Sequence, residues 1–140
     1  MTEALVRTIA LACPASHAFE VFTQKVDLWW PRAHRKTQDA TLHFTDDALI
    51  ERGADGSAWI MGRITAIDPP KLLQLHWFPG SPAAPTAVEI RFAKTDSGTQ
   101  ITITHRPLPE SAPIWPQRVA QFTKGWDALL PALKTFIEED

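Results

Sequence analysis

The chain has 140 residues, a net charge of −2 and a single cysteine. This length suits one domain with a sizeable core, and the weakly acidic balance argues against a nucleic-acid partner or attraction to an anionic membrane. Because the lone Cys13 excludes an internal disulfide and fits a reducing compartment, we expect a cytoplasmic protein whose single domain spans residues 1–140.

The first predicted element is a strand over residues 4–12. Its apolar run, Ile9 to Cys13, is too short for a signal-peptide core or a membrane span, so no membrane insertion is predicted. Apolar residues then recur at helical spacing after Pro14, namely Phe19, Phe22 and Val26. This helix, or a short second one, should end near Pro31, because the residue before a proline is pushed out of the helical region.

About six antiparallel strands are predicted between residues 40 and 106. Clusters of glycine or proline separate them: "GADG" (53–56), "DPP" (68–70), "FPGSPAAP" (78–85) and "TDSGT" (95–99). In "TAVEIRFA" and "TQITITH" the side chains alternate, with an apolar set on one face: Val88, Ile90, Phe92, Ile101, Ile103 and His105. A sheet with one apolar face and one polar face needs a cover on the apolar side.

Residues 117–138 supply the predicted cover. Their apolar positions follow a helical stripe: Val119, Phe122, Trp126, Leu129, Leu130, Leu133 and Phe136. Pro131 interrupts the pattern, which favours a kinked helix; the alternative is two short helices with Pro131 opening the second. The sequence therefore predicts an α+β fold.

Several stretches, in this order, are similar to a known superfamily. They are "AFEVFT" (18–23), "WWP" (29–31), "ERGADGS" (51–57), "GRITAIDPPKLLQLHW" (62–77), "VEIRF" (88–92), "GTQITITHR" (98–106) and "GWDALL" (125–130). The chain resembles the START-like superfamily, also called SRPBCC or helix-grip. Within it the chain is most similar to the branch named after the activator of the heat-shock-protein-90 ATPase, which grades into polyketide cyclase-like proteins. Two departures are that "TDDAL" (45–49) lacks the branch's usual pair of glycines and that Pro107 replaces a common glycine.

The resemblance implies a curved antiparallel sheet of six to seven strands wrapped around a long C-terminal helix, with one or two short helices after the first strand. It also implies a cavity between sheet and helix that holds an apolar ligand. We expect large side chains on the inner faces to bind this ligand: Trp30, Phe44, Trp59, Trp77, Phe92, Ile103, His105, Phe122 and Trp126. No catalytic residue and no cofactor are assigned. No metal is assigned either, because the five histidines and Cys13 show none of the close ligand pairs of zinc sites.

The six tryptophans are candidates for pocket walls, since each offers a wide apolar surface and one N–H donor. Trp77 and Trp126 form the expected pocket-facing pair, and Gly125 is expected to let the helix approach the sheet closely. Adjacent helical residues point about 100° apart, so only one of Trp29 and Trp30 is expected to face the core. The other would close over the cavity or contact a partner.

For several polar residues the sequence allows more than one role. His105 should point toward the helix, either as a hydrogen-bonded core residue or as a group that orients ligand or transfers protons. Glu51 and Asp127 are expected to be exposed, with proton transfer as the alternative role of each. A cationic segment is expected to be solvated, with binding of a ligand carboxylate or phosphate as the alternative: Arg32, His34, Arg35 and Lys36.

The sequence thus predicts binding of an apolar or amphipathic small molecule. One alternative is a cyclase- or hydrolase-type enzyme that uses His105 with a nearby acid in the same cavity. A second alternative, the least favoured, is a chaperone-partner domain that uses "WWPRAHR" (29–35). Whether two copies form a homodimer through a sheet edge or an aromatic patch stays open.

Overall fold

A computed structural model describes residues 4–78 and 84–139 as an α+β fold. In chain order its elements are β1 (Leu5–Leu11), α1 (Ala15–Gln24), α2 (Val26–Trp29), a 3₁₀ turn (Arg32–His34), β2 (Thr41–Phe44), β3 (Ala48–Arg52), β4 (Ala58–Asp68), β5 (Leu72–Trp77), β6 (Thr86–Thr95), β7 (Gly98–Pro107), a second 3₁₀ turn (Ala112–Ile114) and α3 (Trp115–Glu139). Most of the turn predicted at 78–85 lies outside the described residues. No helix in the described part of the chain is long and apolar enough to cross a membrane.

All seven strands belong to one antiparallel sheet with the order β1-β7-β6-β5-β4-β3-β2. The first strand pairs with the last, so that Leu5 lies opposite His105. The register shifts between Leu49 and Ile50 in β3, and again between Ile64 and Ala66 in β4. Such irregularities bend and twist a strand, which lets the sheet curl. The helix-grip architecture predicted from the sequence is confirmed.

The long helix α3 is continuous from Trp115 to Glu139, with Pro131 inside it. The interpretation as two short helices is therefore wrong. The helix buries its stripe against the sheet, chiefly through Phe122, Trp126, Leu129, Leu130 and Leu133. The facing strand residues are at most 3% exposed: Val88, Ile90, Phe92, Ile101 and Ile103. Each such side chain contributes about 1.5–3 kcal/mol by leaving water, so this layer dominates the stability.

Helix α1 completes the core from the other end of the sheet. Its Phe19 ring lies 5.1 Å from the Phe92 ring in an edge-to-face arrangement, and Phe22 lies 5.9 Å from the same ring. Pro14 precedes the helix in an extended conformation, and its carbonyl accepts the Ala18 N–H. This region of the fold is filled by packed side chains.

The prediction that only one of Trp29 and Trp30 faces the core is wrong, since each is only 4% exposed. Helix α2 ends at Trp29, and Trp30 has the extended backbone expected before Pro31 (φ −67°, ψ 121°). The 100° rule for adjacent helical residues does not apply across such a junction. The two rings lie 5.5 Å apart, and the Trp29 indole N–H donates to the Val21 carbonyl at 3.0 Å.

Candidate functional site

A pocket of about 390 Å³ lies between α3 and the strands β3, β4 and β5. Five of the nine predicted ligand-binding residues line it: Trp30, Trp59, Trp77, Phe122 and Trp126. Trp30 comes from the end of α2, Trp59 and Trp77 from the sheet, and the other two from α3. Four tryptophans and one phenylalanine are therefore among the fourteen lining residues, and the pocket lies between the sheet and the long helix.

Three indole rings form one continuous wall. Trp30 stacks on Trp77 with centroids 6.0 Å apart and planes inclined by 29°, and Trp77 lies 6.1 Å from Trp126. Stacked aromatic pairs contribute about 0.5–1.5 kcal/mol beyond the area they bury, so the rings fix each other's orientation. The pairing of Trp77 with Trp126 matches the sequence-based expectation.

The role expected for Gly125 is wrong. A Cβ atom added there would meet no atom within 4 Å, so close approach of helix and sheet does not depend on this glycine. The glycine that lies close to a pocket-lining side chain is Gly62 in β4, where a Cβ would lie 3.1 Å from the His76 carbonyl oxygen and 3.3 Å from the Trp77 ring. Gly62 thus makes room for the Trp77 indole, whereas Gly125 borders empty pocket space.

His105 lies behind the pocket wall and is fully buried. The Trp126 indole N–H donates to His105 Nδ1 at 3.1 Å, so this nitrogen must be unprotonated. The other nitrogen, Nε2, therefore carries the proton and donates to Thr86 Oγ1 at 2.7 Å. The Thr86 hydroxyl in turn donates to the Trp77 carbonyl at 3.3 Å. The chain of hydrogen bonds joins α3 to β7, β6 and β5, and occupies both ring nitrogens.

Burial lowers the pKa of His105 from 6.5 to about 3. The imidazole is therefore neutral across the physiological range, in agreement with the tautomer that the two hydrogen bonds require. The Phe122 ring lies 4.3 Å from the imidazole centroid and separates it from part of the pocket. The arrangement holds Trp126 in position, and it leaves no ring nitrogen free for a ligand.

Three predicted ligand-binding residues lie away from the pocket. Phe92 and Ile103 are at most 3% exposed and belong to the core. Phe44 packs at the margin of this core, with its ring 6.5 Å from that of Phe22. The alternation pattern correctly indicated inward-facing side chains for the first two, but α1 covers that end of the sheet and fills it.

The rim of the pocket at β3 and β4 is polar. Glu51 is only 3% exposed, so the prediction that it is exposed is wrong. One carboxylate oxygen, Oε2, accepts the backbone N–H of Lys36. The Lys36 ammonium lies 3.8 Å from the centroid of the Trp59 ring. A second pocket of about 380 Å³ adjoins the first one, and both pockets are lined by Lys36, Glu51 and Trp59.

The cationic segment is solvated only in part. Arg32, His34 and Lys36 are exposed, as expected, but Arg35 is 8% exposed. The Arg35 guanidinium pairs with Asp27 at 2.7 Å and donates to the carbonyls of Asp27, Trp30 and Ala40. This arginine is buried because it ties the chain after α2 to the start of β2, a contact that no local charge pattern reveals.

Other polar candidates lie outside the pocket. Asp127 is exposed, as predicted, and pairs with Arg7 at 2.8 Å. Cys13 is buried, and burial together with the nearby Glu138 carboxylate raises the pKa of its thiol. Within residues 4–78 and 84–139, no group of three or more His, Cys, Asp and Glu side chains could hold a metal ion.

A signal for Glu51 is present in the sequence. In the strand "ALIER" (48–52), Leu49 and Glu51 are two positions apart and so share a face. Leu49 is buried, and Glu51 is buried beside it. Period-two alternation should therefore have outweighed the general preference of glutamate for the surface. Lys36 carries no comparable signal, because it lies in a segment without regular structure.

A curled antiparallel sheet closed by a long C-terminal helix, with an aromatic pocket between them, defines the helix-grip class of proteins. The family model described as "Activator of Hsp90 ATPase homolog 1-like protein" matches residues 12–138, and the chain belongs to this family. A comparison with curated proteins found no match.

Solved structures with the same fold share little sequence with this chain. Protein CV1439 from Chromobacterium violaceum is 17% identical, with a TM-score of 0.68 and 99% of both chains covered. The AHSA1-like protein from Aeromonas hydrophila is 16% identical, with a TM-score of 0.68, 97% of this chain and 92% of that chain covered. DynU16, a protein of the dynemicin biosynthetic locus, is 16% identical with a TM-score of 0.65; the match covers 97% of this chain and 47% of that one. These likenesses establish the fold alone.

Proposed function

We propose that the protein binds an apolar or amphipathic small molecule in the pocket between α3 and the sheet. The observation that carries the proposal is the aromatic wall of Trp30, Trp77 and Trp126, which borders about 390 Å³ of unfilled space. Pockets of a few hundred cubic ångströms with mostly apolar walls and few polar groups are typical of small-molecule sites. Membership of a helix-grip family supports the same assignment.

The enzymatic alternative rested on His105 as a general acid or base. A general base needs an unoccupied nitrogen within reach of its substrate. Both nitrogens of His105 are engaged within the protein, by Trp126 and Thr86. The geometry therefore favours binding over catalysis through this residue.

The chaperone alternative rests on the family description, which names an activator of the Hsp90 ATPase. Family membership alone does not assign that activity, because one fold supports many functions. The aromatic pair that would anchor such a contact, Trp29 and Trp30, is buried. No observation in the described residues favours this function over ligand binding.

The test is a thermal-shift screen against fatty acids, planar polycyclic aromatics, polyketide-like phenols, isoprenoids and aromatic amines. A ligand present at about a hundred times its dissociation constant adds about 2.7 kcal/mol to the free energy of unfolding and raises the melting temperature by several degrees. We expect one chemical class to give such a shift.

The pocket-blocking variant is Gly125→Leu, and its matched control is Gly125→Ala. Because a Cβ atom at position 125 meets no other atom within 4 Å and the residue lines the pocket, we expect the leucine side chain to occupy part of the pocket. Leucine also has the higher helix propensity, so the unliganded variant should melt no lower than the wild type. A ligand shift that disappears in Gly125→Leu and persists in Gly125→Ala supports the proposal, and a shift that persists in both places the ligand elsewhere.

A further inference from the structure

Glu51 is a buried carboxylate that has no ionic partner within residues 4–78 and 84–139. It is 3% exposed and accepts one hydrogen bond, from the backbone N–H of Lys36. Among the described residues, no lysine, arginine or histidine nitrogen lies within 4.0 Å of its carboxylate oxygens. A buried charge is costly unless it is paired, so this position favours a positively charged or donating group from outside the protein.

An aromatic face lies directly beside this carboxylate. Glu51 in β3 and Trp59 in β4 are opposite each other in the antiparallel register, and directly paired side chains have Cβ atoms about 4.5–5.5 Å apart. The Trp59 face already accepts a cation, since the Lys36 ammonium lies 3.8 Å from its centroid. Because Lys36 is exposed, its ammonium can leave this position for solvent without burying a charge.

The other charged side chains around the rim also favour the binding of a cation beside Glu51. The second pocket, which adjoins Glu51, is also lined by Asp39 and Asp55, against one lysine. On the α3 side the Arg35 charge is balanced by Asp27. His34 is exposed at this rim. Lys36 is the cation on the Trp59 face, so it is the group that a ligand would displace.

Building on the proposed function, we propose that the ligand is an organic cation: a protonated amine attached to an aromatic or apolar body. The ammonium group pairs with Glu51 and rests on the Trp59 face, where it replaces Lys36. The apolar body lies against Trp77 and Trp126. An ammonium gains both from the quadrupole of an indole and from a desolvated carboxylate, and this pair of contacts distinguishes it from alcohols and acids of the same shape.

Three probes with the same ring system test the proposal: 1-naphthylmethylamine, 1-naphthalenemethanol and 1-naphthoic acid. Isothermal titration at pH 7 measures the dissociation constant of each. We expect the amine to bind about tenfold more tightly than the alcohol, the size of effect associated with a hydrogen bond to a charged group, and the acid to bind most weakly.

Two substitutions and one control test which residues cause the preference for the amine. Glu51→Gln keeps the shape and an acceptor for the Lys36 N–H, and it should reduce the preference for the amine to within about twofold. Asp46→Asn makes the same change in net charge at an exposed position outside both pockets and should leave the preference intact. Lys36→Met removes the internal cation from Trp59 and should strengthen amine binding several-fold. This variant tests the proposal even if Glu51→Gln does not fold.

An alcohol that binds as tightly as the amine overturns the cation proposal, as does a preference that survives Glu51→Gln or amine binding that weakens in Lys36→Met. If the alcohol binds without amine preference and loses its binding in Gly125→Leu, the pocket function stands and only the cation proposal fails. If none of the three probes binds while the wider screen finds another ligand class, the cation proposal fails in the same way. If the screen also finds nothing, both proposals fail.

Discussion

The two sides of the pocket are built differently. On the α3 side, Trp126, His105 and Thr86 satisfy one another through buried hydrogen bonds, and every ring nitrogen of the histidine has a partner. At the β3–β4 rim, the buried Glu51 has a single backbone partner, and Lys36 covers Trp59 from an exposed position. The first side is complete without a ligand, whereas the rim retains a buried carboxylate that has no ion pair in the described part of the chain.

The α3 side of the pocket should therefore contribute mainly to stability, and the β3–β4 rim mainly to ligand recognition. A fully satisfied buried network stiffens a structure, and removing one member leaves the others unpaired. A buried charge that lacks an ion pair costs stability. Substitutions on the α3 side should therefore change the free energy of unfolding, and substitutions at the rim should change ligand preference.

The largest effect is expected for Trp126→Ala. The change empties a large volume under α3 and leaves His105 Nδ1 without its donor, so the free energy of unfolding should fall by about 3–5 kcal/mol. Urea denaturation followed by circular dichroism measures the loss. Asp127→Ala, one residue along the same helix, removes only an exposed ion pair and should cost less than about 1 kcal/mol. Equal losses for the two variants would contradict the account of this wall.

The next effect is a dependence on pH from His105. Its folded pKa of about 3 lies below the ordinary 6.5, so between these values the unfolded chain binds a proton that the folded protein does not. The stability contribution is fully present above pH 6.5 and declines as the pH falls, by about 2–3 kcal/mol at pH 4.5.

Comparing unfolding curves of the wild type and His105→Asn across this range isolates the contribution of His105. The variant should have the shallower pH dependence, whatever its absolute stability. His34→Asn makes the same substitution at an exposed position and is the matched control. Parallel pH profiles for wild type and His105→Asn would contradict the assignment of a neutral buried imidazole.

A smaller effect distinguishes two glycines beside the same wall. Gly62→Ala places a methyl group 3.1 Å from the His76 carbonyl and 3.3 Å from the Trp77 ring, so it should cost about 1–2 kcal/mol and displace that ring. Gly125→Ala should instead stabilise α3 by up to about 1 kcal/mol, because the added methyl meets open space. Thermal unfolding of both variants measures the two signs, and a shared sign would be inconsistent with the packing described.

The smallest change in stability is expected for Glu51→Gln. Replacing a buried charge by a neutral amide of the same shape should leave the free energy of unfolding within about 1 kcal/mol of the wild type, or raise it slightly. The same variant should lose its preference for amine probes. A loss of several kcal/mol in urea denaturation would mean that Glu51 belongs to the stabilising network after all.

The sequence predicted the fold in detail because its elements carry strong periodic signals. The alternation around Ile101 and Ile103 and the stripe through Trp126 and Leu133 confined each segment to one type of structure and one buried face. Pro131 suggested two short helices as an alternative, and this alternative was wrong. A long helix held by tertiary packing tolerates one missing hydrogen bond.

The site was predicted less completely, for physical reasons that differ between residues. Inward-facing positions such as Phe92 were identified correctly as buried, but alternation cannot tell a filled core from a pocket wall. Arg35 and Glu51 are buried through contacts with segments distant along the chain, and Trp30 is buried because the backbone leaves the helix at that residue. Such contacts depend on how elements meet, which a local pattern does not contain.

The most direct test of the central claim is a crystal structure of the protein with 1-naphthylmethylamine bound. The account predicts that the naphthyl ring lies against Trp77 and Trp126 and that the ammonium lies within hydrogen-bonding distance of Glu51, with the Lys36 side chain displaced from Trp59. A naphthyl ring bound outside this pocket, for instance in the groove between Leu28 and Pro131, would contradict the claim.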